Sequence, residues 1–239
     1  MLICANMNAI ILSIGTELTT GQCLDTNSAW LSAALTRIGG CVVRHVTIGD
    51  DLDQVRQAIR EALASAEIII ATGGLGPTVD DLTRQALAEA IGQPLEENAE
   101  ALGQIRTMFA RWQRPLQDSN LVQALIPRGC TVIRNNRGTA PGIWYRSGHV
   151  NLFALPGVPA EMKAMFAATI APVVEARSGA ARSAEARLLC FGISEAKLGD
   201  LIQDLMARGR NPLVGTTASG GVISVRVIAC GRTNRRLRH

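Results

Sequence analysis

From residue 9 to residue 91, apolar runs of strand length alternate with segments whose apolar residues recur at helical spacing, an order that few folds accommodate. Residues 9–14, 41–48 and 68–71 read as strands. Leu31, Leu35 and Ile38 share one face of a helix over residues 27–38. Leu52, Val55, Ile59 and Leu63 share a face of a second helix capped by Asp51, and residues 82–91 read as a third. Such repetition predicts a parallel sheet with helices on both faces, joined by right-handed crossovers. Ligands of such sheets lie beyond the carboxyl ends of the strands. Loops 14–21, 49–51 and 72–81 all fall on that rim, which makes it the expected site.

Residues 94–125 read as a helical excursion from the sheet, with Phe109 and Trp112 expected to pack rather than to stack on a base. A turn-rich loop over residues 135–142, a strand over 150–155 and a helix over 160–175 follow. Small polar residues at 177–186 read as a linker. Beyond it a strand (187–193), a helix (194–208) and two strands (213–217, 222–229) form a small α+β module, marginal alone. The expected fold class is therefore α/β: a three-layer α/β/α domain with a mostly parallel sheet over residues 8–176. The linker, a module over residues 187–230 and a basic tail over 231–239 complete the chain.

Composition narrows the function classes. At 239 residues and 47% hydrophobic content, one large domain plus an appendage can bury a sizeable core. No apolar run reaches membrane-spanning length. The first residues have neither a basic region nor a long apolar stretch, so secretion is not expected, and Met7 is an alternative start. Six cysteines (4, 23, 41, 130, 190 and 230) are scattered without a Cys-x-x-Cys pair, which favours reduced thiols in the cytoplasm and argues against a zinc site. Between residues 101 and 150 seven arginines face one acid, Asp118, so that stretch either meets an anionic substrate or is a solvated basic surface.

The most informative stretch is Thr72-Gly73-Gly74-Leu75-Gly76-Pro77-Thr78-Val79-Asp80-Asp81-Leu82-Thr83. Glycines at 73, 74 and 76 let the backbone turn and bring N–H groups to an anion, and the following helix adds positive field at its N-terminus. Asp80 and Asp81 bring negative charge to the same place, a conflict that a divalent cation bridging carboxylate and phosphate would resolve. The plainer alternative is a strand–turn–helix corner in which Asp80 or Asp81 caps the helix. The loop lacks the Gly-Lys-Ser/Thr ending of a P-loop, and no glycine completes Gly-x-Gly-x-x-Gly.

Four segments in order resemble the competence- and damage-inducible CinA family. They are Ser13-Ile14-Gly15-Thr16-Glu17-Leu18 with Gly21-Gln22, residues 72–83, Asn136-Arg137-Gly138-Thr139-Ala140-Pro141-Gly142, and Leu155-Pro156-Gly157-Val158-Pro159-Ala160-Glu161-Met162-Lys163. The resemblance implies a molybdopterin-binding-like domain followed by a KH-like module. In longer members it further implies metal-dependent ADP-ribose pyrophosphatase activity, with a separate C-terminal nicotinamide-mononucleotide deamidase domain. This sequence ends before such a domain, so deamidation is not expected of it. Asp81-Leu82-Thr83 matches the superfamily's Asp-x-Thr, and Asp50 matches its second acidic position. Asn120, Gln123 and Ala124 match a helical motif, in which Val122 replaces an expected basic residue and removes a phosphate contact.

The reading that follows has Asp81, Asp80 and Asp50 holding Mg²⁺ and Asp81 and Glu17 acting in catalysis, Glu17 as the base or water-orienting group. The expected ligand contacts are Gly15, Thr16, Asn27, Thr72, Gly73, Gly74, Gly76, Thr78, Gly138, Thr139, Pro156 and Gly157. Several have plain alternatives: Glu17 a turn carboxylate, Asn27 a helix cap, Gly138 a turn former, Lys163 a surface lysine and Pro159 a helix starter. The expected ligand is a small nucleotide diphosphate, bound by a homo-oligomer without a membrane or nucleic-acid partner. A molybdopterin-type binder without hydrolysis is the alternative. An RNA-associated module ranks last, because it shows no Gly-x-x-Gly clamp and few aromatics.

Overall fold

The computed structural model describes residues 7–179, 181–207 and 209–232, so the expectations about the first six residues and most of the basic tail lie outside it. The described residues divide into two compact units, residues 7–33 with 42–173, and residues 34–41 with 174–232.

The first unit is built on a six-stranded sheet in the order β2-β1-β3-β8-β7-β6. Its strands are β1 (Asn8–Ile14), β2 (Cys41–Ile48), β3 (Ile68–Thr72), β6 (Thr131–Ile133), β7 (Gly142–Ser147) and β8 (Val150–Leu155). β1, β3 and β8 run parallel in register, Leu12 opposite Ala71 and Ala71 opposite Ala154. β7 runs antiparallel to β8 and β6 antiparallel to β7, so the sheet is mixed. All of β3 is buried, as a strand covered on both faces must be. Ile10, Leu12, Ile69, Ala71, Leu152 and Ala154 join one core with Val55, Ile59 and Ala62 of helix α3 (Leu52–Ser65) and Ala86 and Leu87 of helix α4 (Thr83–Ile91). Residues of the opposite parity, among them Ile11, Ile70 and Phe153, are equally buried. Trp30 of α2 (Thr26–Arg37) meets Phe166 edge-on, 5.4 Å between ring centroids.

The excursion over residues 94–125 holds less helix than its sequence suggests. Its one long helix, α5 (Ala99–Arg111), is capped by Asn98, whose side chain accepts from the Glu100 and Ala101 amides. Leu95–Glu97 (β4) pairs antiparallel with Leu125–Pro127 (β5). Three-residue strands carry too little periodicity to register in the sequence. The short helix Asp118–Leu121 (α6) and a 3₁₀ turn over Val122–Ala124 lead into β5.

The second unit has a three-stranded sheet, order β10-β11-β9, of Ala181–Phe191 (β9), Leu213–Ser219 (β10) and Val222–Arg232 (β11). Leu198, Val214, Ile223 and Val225 form its core. Two expectations need correcting. Residues 181–186, read as linker, are the first half of β9 and pair with residues 227–232 of β11. Pairing runs through backbone groups, so small polar side chains do not forbid it. The helix Glu195–Leu201, capped by Ser194, is half the expected length, and residues 202–206 form turns.

Candidate functional site

The strand ends place the glycine loop. Leaving β3, the Gly73 N–H donates to Leu155 O at the end of β8, and the Gly15 N–H after β1 donates to Ile48 O at the end of β2. Gly73 takes a φ of 106°, and a Cβ there would collide with Ile14 O. Gly74, at φ 64°, has no room for one beside Thr83 Oγ1. A side chain at Gly73 would push the loop off the end of β1, and one at Gly74 would push it off the start of α4.

Asp81 and Thr83 brace this loop from its far end. The Asp81 carboxylate accepts from the Gly76 N–H at 2.8 Å, the Thr78 N–H at 2.8 Å and the Thr78 hydroxyl at 2.5 Å. The buried Thr83 hydroxyl donates to Gly73 O at 2.7 Å, and its N–H donates to Gly74 O. Asp81 therefore folds back over its own loop instead of capping α4, whose N-cap is Leu82 without a side-chain bond. The Gly73 and Gly76 amides are thus engaged within the protein. Among the described residues only Gly74 and Leu75 of the loop's first turn keep N–H groups without a protein acceptor. Beneath the loop, buried Arg84 donates to Leu75 O at 2.8 Å. Burial pushes its guanidinium down to about 10 although Asp81 lies near.

One proton serves two carboxylates beside this turn. The Thr78 hydroxyl lies within hydrogen-bond distance of both Asp80 and Asp81 and can donate to only one at a time. The Thr78 hydroxyl holds the Asp80 carboxyl below its ordinary range.

The other rim loops are equally organised. Thr16 and Asp50 bond reciprocally, Thr16 N–H to Asp50 Oδ2 at 2.8 Å and Asp50 N–H to Thr16 Oγ1 at 3.1 Å. Asn27 lies within α2 instead of capping it, and its Nδ2 donates to Gly157 O at 2.7 Å. The cap-like bond comes from Asp25, which accepts from Ser28 N at 2.9 Å and Ser28 Oγ at 2.6 Å. Because the carboxylate accepts, Ser28 donates to it, and Ser13 in turn donates to Ser28. Burial raises the Asp25 carboxyl, but the Ser28 and Ser13 bonds and the charge of His45 outweigh that, and the net shift is downward. Buried Asn135 holds the opposite wall. Its Oδ1 accepts from the Arg137 and Gly138 amides, while its Nδ2 donates to Ala140 O and to Glu161 Oε2 at 2.6 Å.

These elements enclose a cavity of about 620 Å³, within the range of small-molecule sites. Of the expected residues, Gly15, Glu17, Asn27, Asp50, Thr72, Gly73, Gly74, Gly76, Asp80, Asp81, Gly138, Thr139, Pro156 and Gly157 line it together. Thr16 and Thr78 do not line it but serve Asp50 and the paired aspartates. Lys163 also lies elsewhere, its ammonium 5.5 Å from the centre of the Trp30 ring. None of the seven arginines of the basic stretch lines the cavity. Arg111 and Arg134 border a separate hollow with Gln104, Arg128 pairs with Glu96, and Arg146 sits over Trp144. Asp25, Trp112, Gln123 and Glu161 line the cavity and were not singled out as site residues. Gln123 and Glu161 stand inside motifs already quoted, and Asp25 three residues before Ser28 carries a capping signal. Trp112, expected to pack, does meet Phe109 edge-on at 6.0 Å yet stays 43% exposed.

Among the described residues, the lining includes six carboxylates (Glu17, Asp25, Asp50, Asp80, Asp81 and Glu161) and neither lysine nor arginine. Among the described residues no three acidic, histidine or cysteine side chains cluster closely enough to hold a metal ion unaided. The five described cysteines are free thiols. Among the described residues, no helix is long and apolar enough to cross a membrane.

Comparison with known proteins agrees with this architecture. Residues 10–176 match the family described as "Probable molybdopterin binding domain", and residues 186–239 match the "Damage-inducible protein CinA KH domain". Fold and site thus define an α/β domain of the molybdopterin-binding type, followed by a KH-type module. A competence-damage inducible protein of Acetivibrio thermocellus is 40% identical over 227 residues, covering 95% of this chain and 55% of that protein. A CinA-like protein of Parasynechococcus marenigrum is 41% identical over 223 residues, covering 92% and 53% respectively. The crystal structure of the protein CinA from Thermoplasma acidophilum, titled as of unknown function, superposes with a TM-score of 0.65 at 37% identity. It covers 70% of this chain and 98% of its own. The chain belongs to the CinA family and spans about half the length of the curated relatives it matches.

Proposed function

We propose that the cavity binds a nucleotide diphosphate, with ADP-ribose as the leading candidate, and that the chain hydrolyses its phosphoanhydride with a divalent cation, Mg²⁺ in first place, to AMP and ribose 5-phosphate. The observation that carries this reading is that, among the described residues, six carboxylates and no lysine or arginine line the cavity around a glycine loop with free amides. Phosphates entering such a site meet like charge unless a cation accompanies them.

The residues present fit a hard cation. Asp80 and Asp81 both reach the single Thr78 hydroxyl, which can donate to only one of them at a time, so two carboxylate oxygens converge on one proton. Mg²⁺ commonly binds through one or two carboxylates plus substrate phosphates, so a cage of three protein ligands is not required. Asp80 and Asp81 would hold it, and when bound it supplies charge neutralisation and an acidified water. The chain's own groups do the rest. Gly74 and Leu75 offer N–H groups to phosphate oxygen, Asn135 fixes the Gly138–Thr139 wall, and Glu17 takes a proton from the attacking water. Water adds across the P–O–P bond, one phosphorus receiving its hydroxyl and the other phosphate leaving on the bridging oxygen.

The description of the matched family as molybdopterin-binding favours a second reading, a pterin-type binder without turnover. The test follows AMP release from ADP-ribose with Mg²⁺, with chelator, and by Glu17→Gln. Metal-dependent release that falls at least about tenfold in Glu17→Gln supports hydrolysis. No release, together with tight pterin binding, replaces it with the second reading.

A further inference from the structure

Gln123 is 1% exposed and lines the cavity, yet among the described residues its buried Oε1 meets no donor. A buried carboxamide oxygen without a donor is costly unless something else engages it. Local structure does not need it, because the 3₁₀ turn that carries it is held by backbone bonds and the neighbouring Ala124 O accepts from the Asn98 N–H. Trp112, 43% exposed, lines the same cavity from the C-terminal end of α5 and brings an indole ring to it. A planar heterocycle is what an indole face stacks, and a carboxamide pairs with a ring edge that sets an N–H donor beside a ring-nitrogen acceptor.

We propose that Gln123 and Trp112 form a ring-recognition subsite: Trp112 stacks on a flat heterocycle and Gln123 reads its amidine-type edge by paired donor and acceptor bonds. Adenine and a pterin both present that edge. With adenine the subsite deepens the ADP-ribose reading and rests on it for the choice of ligand, whereas the recognition chemistry itself requires neither phosphate nor cation. Gln123 determines which ring enters, and it takes no part in bond breaking.

The experiment uses phosphate-free probes on the full chain, so that it is separable from hydrolysis. Adenosine, 6-hydroxymethylpterin and purine riboside, which lacks the exocyclic amino group, are titrated calorimetrically against wild type, Gln123→Leu and Trp112→Ala. At least one amino-bearing ring is expected to bind at least about tenfold more tightly than purine riboside. Gln123→Leu should erase that preference by weakening the amino-bearing ring more than purine riboside, which keeps only the ring-nitrogen half of the pair, and the purine riboside binding that remains shows that the variant is folded. Trp112→Ala should weaken all bound rings alike. Preference for adenosine assigns the subsite to a nucleotide, and preference for the pterin assigns it to a pterin. Equal binding of purine riboside and both amino-bearing rings, a Gln123→Leu loss of the same size for all three, or no binding of any ring overturns the proposal. ADP-ribose turnover without ring preference overturns the subsite alone. Ring preference without turnover overturns hydrolysis alone.

Discussion

Replacing Asp81 by alanine should unsettle the glycine loop before it affects any chemistry. The carboxylate accepts from two backbone amides and one hydroxyl. A bond to a charged acceptor contributes about 1.5–3 kcal/mol where water is excluded. Thr78 is exposed and its groups can turn to water, while the Gly76 amide is half-buried, so the three bonds do not count in full. A loss of about 2–4 kcal/mol follows, and in a domain of this size each kcal/mol moves Tm by about 2–4 °C. Differential scanning calorimetry of the full chain should therefore show the first unit melting roughly 5–15 °C lower. Asp81→Asn should recover less than half of that, because its oxygen serves one amide while its –NH₂ confronts another donor. An Asp81→Ala protein that melts within about 1 °C of wild type would refute the bracing role. The consequence for enzymology is direct: lost turnover in Asp81→Ala cannot by itself assign a metal ligand, which is why Glu17→Gln is the cleaner probe.

Other variants test the remaining framework. Gly73→Ala, which combines positive φ with a collision at Ile14 O, should cost at least about 2 kcal/mol in urea denaturation. Asn135→Ala strips acceptors and donors from the Gly138 wall and Glu161 and should cost about 2–4 kcal/mol by the same measurement. Asp80 has a depressed folded-state carboxyl, so its bond to Thr78 contributes in full above the ordinary value of 3.8 and is lost as pH falls through the folded value. The stability difference between wild type and Asp80→Asn should accordingly hold between pH 5 and 7 and close below 3.8. Arg56, which pairs with Glu89 across α3 and α4 in reach of solvent, should leave the urea midpoint almost unmoved when changed to methionine.

The main elements were legible because burial stamps a period on them. Val55, Ile59 and Ala62 are the residues that α3 buries, and the unbroken run Ile68–Thr72 is a strand covered on both faces. Elements without such a period escaped. β4 and β5 are three residues long, and the first half of β9 consists of small and charged residues held by backbone pairing with β11. The rim residues were legible for a different reason: glycines at 73 and 74 mark positive φ, and acids beside them mark charge. Asp81's partners were not, since an Asp-x-Thr spacing fits a cap, a metal ligand and a loop brace equally well.

Chain order alone determined that three strand ends would carry polar loops at one edge, because alternating strand and helix leave the sheet no other rim for them. Only the tertiary structure decided what else joins that edge. Gln123, Trp112 and Glu161 arrive from segments that the sequence separates from the glycine loop by about thirty to ninety residues, and Arg111 and Arg134 turn away from it. The physical reason is that side-chain neighbourhood across a sheet depends on register and packing, whereas sequence spacing reports only on neighbours within one helix or strand.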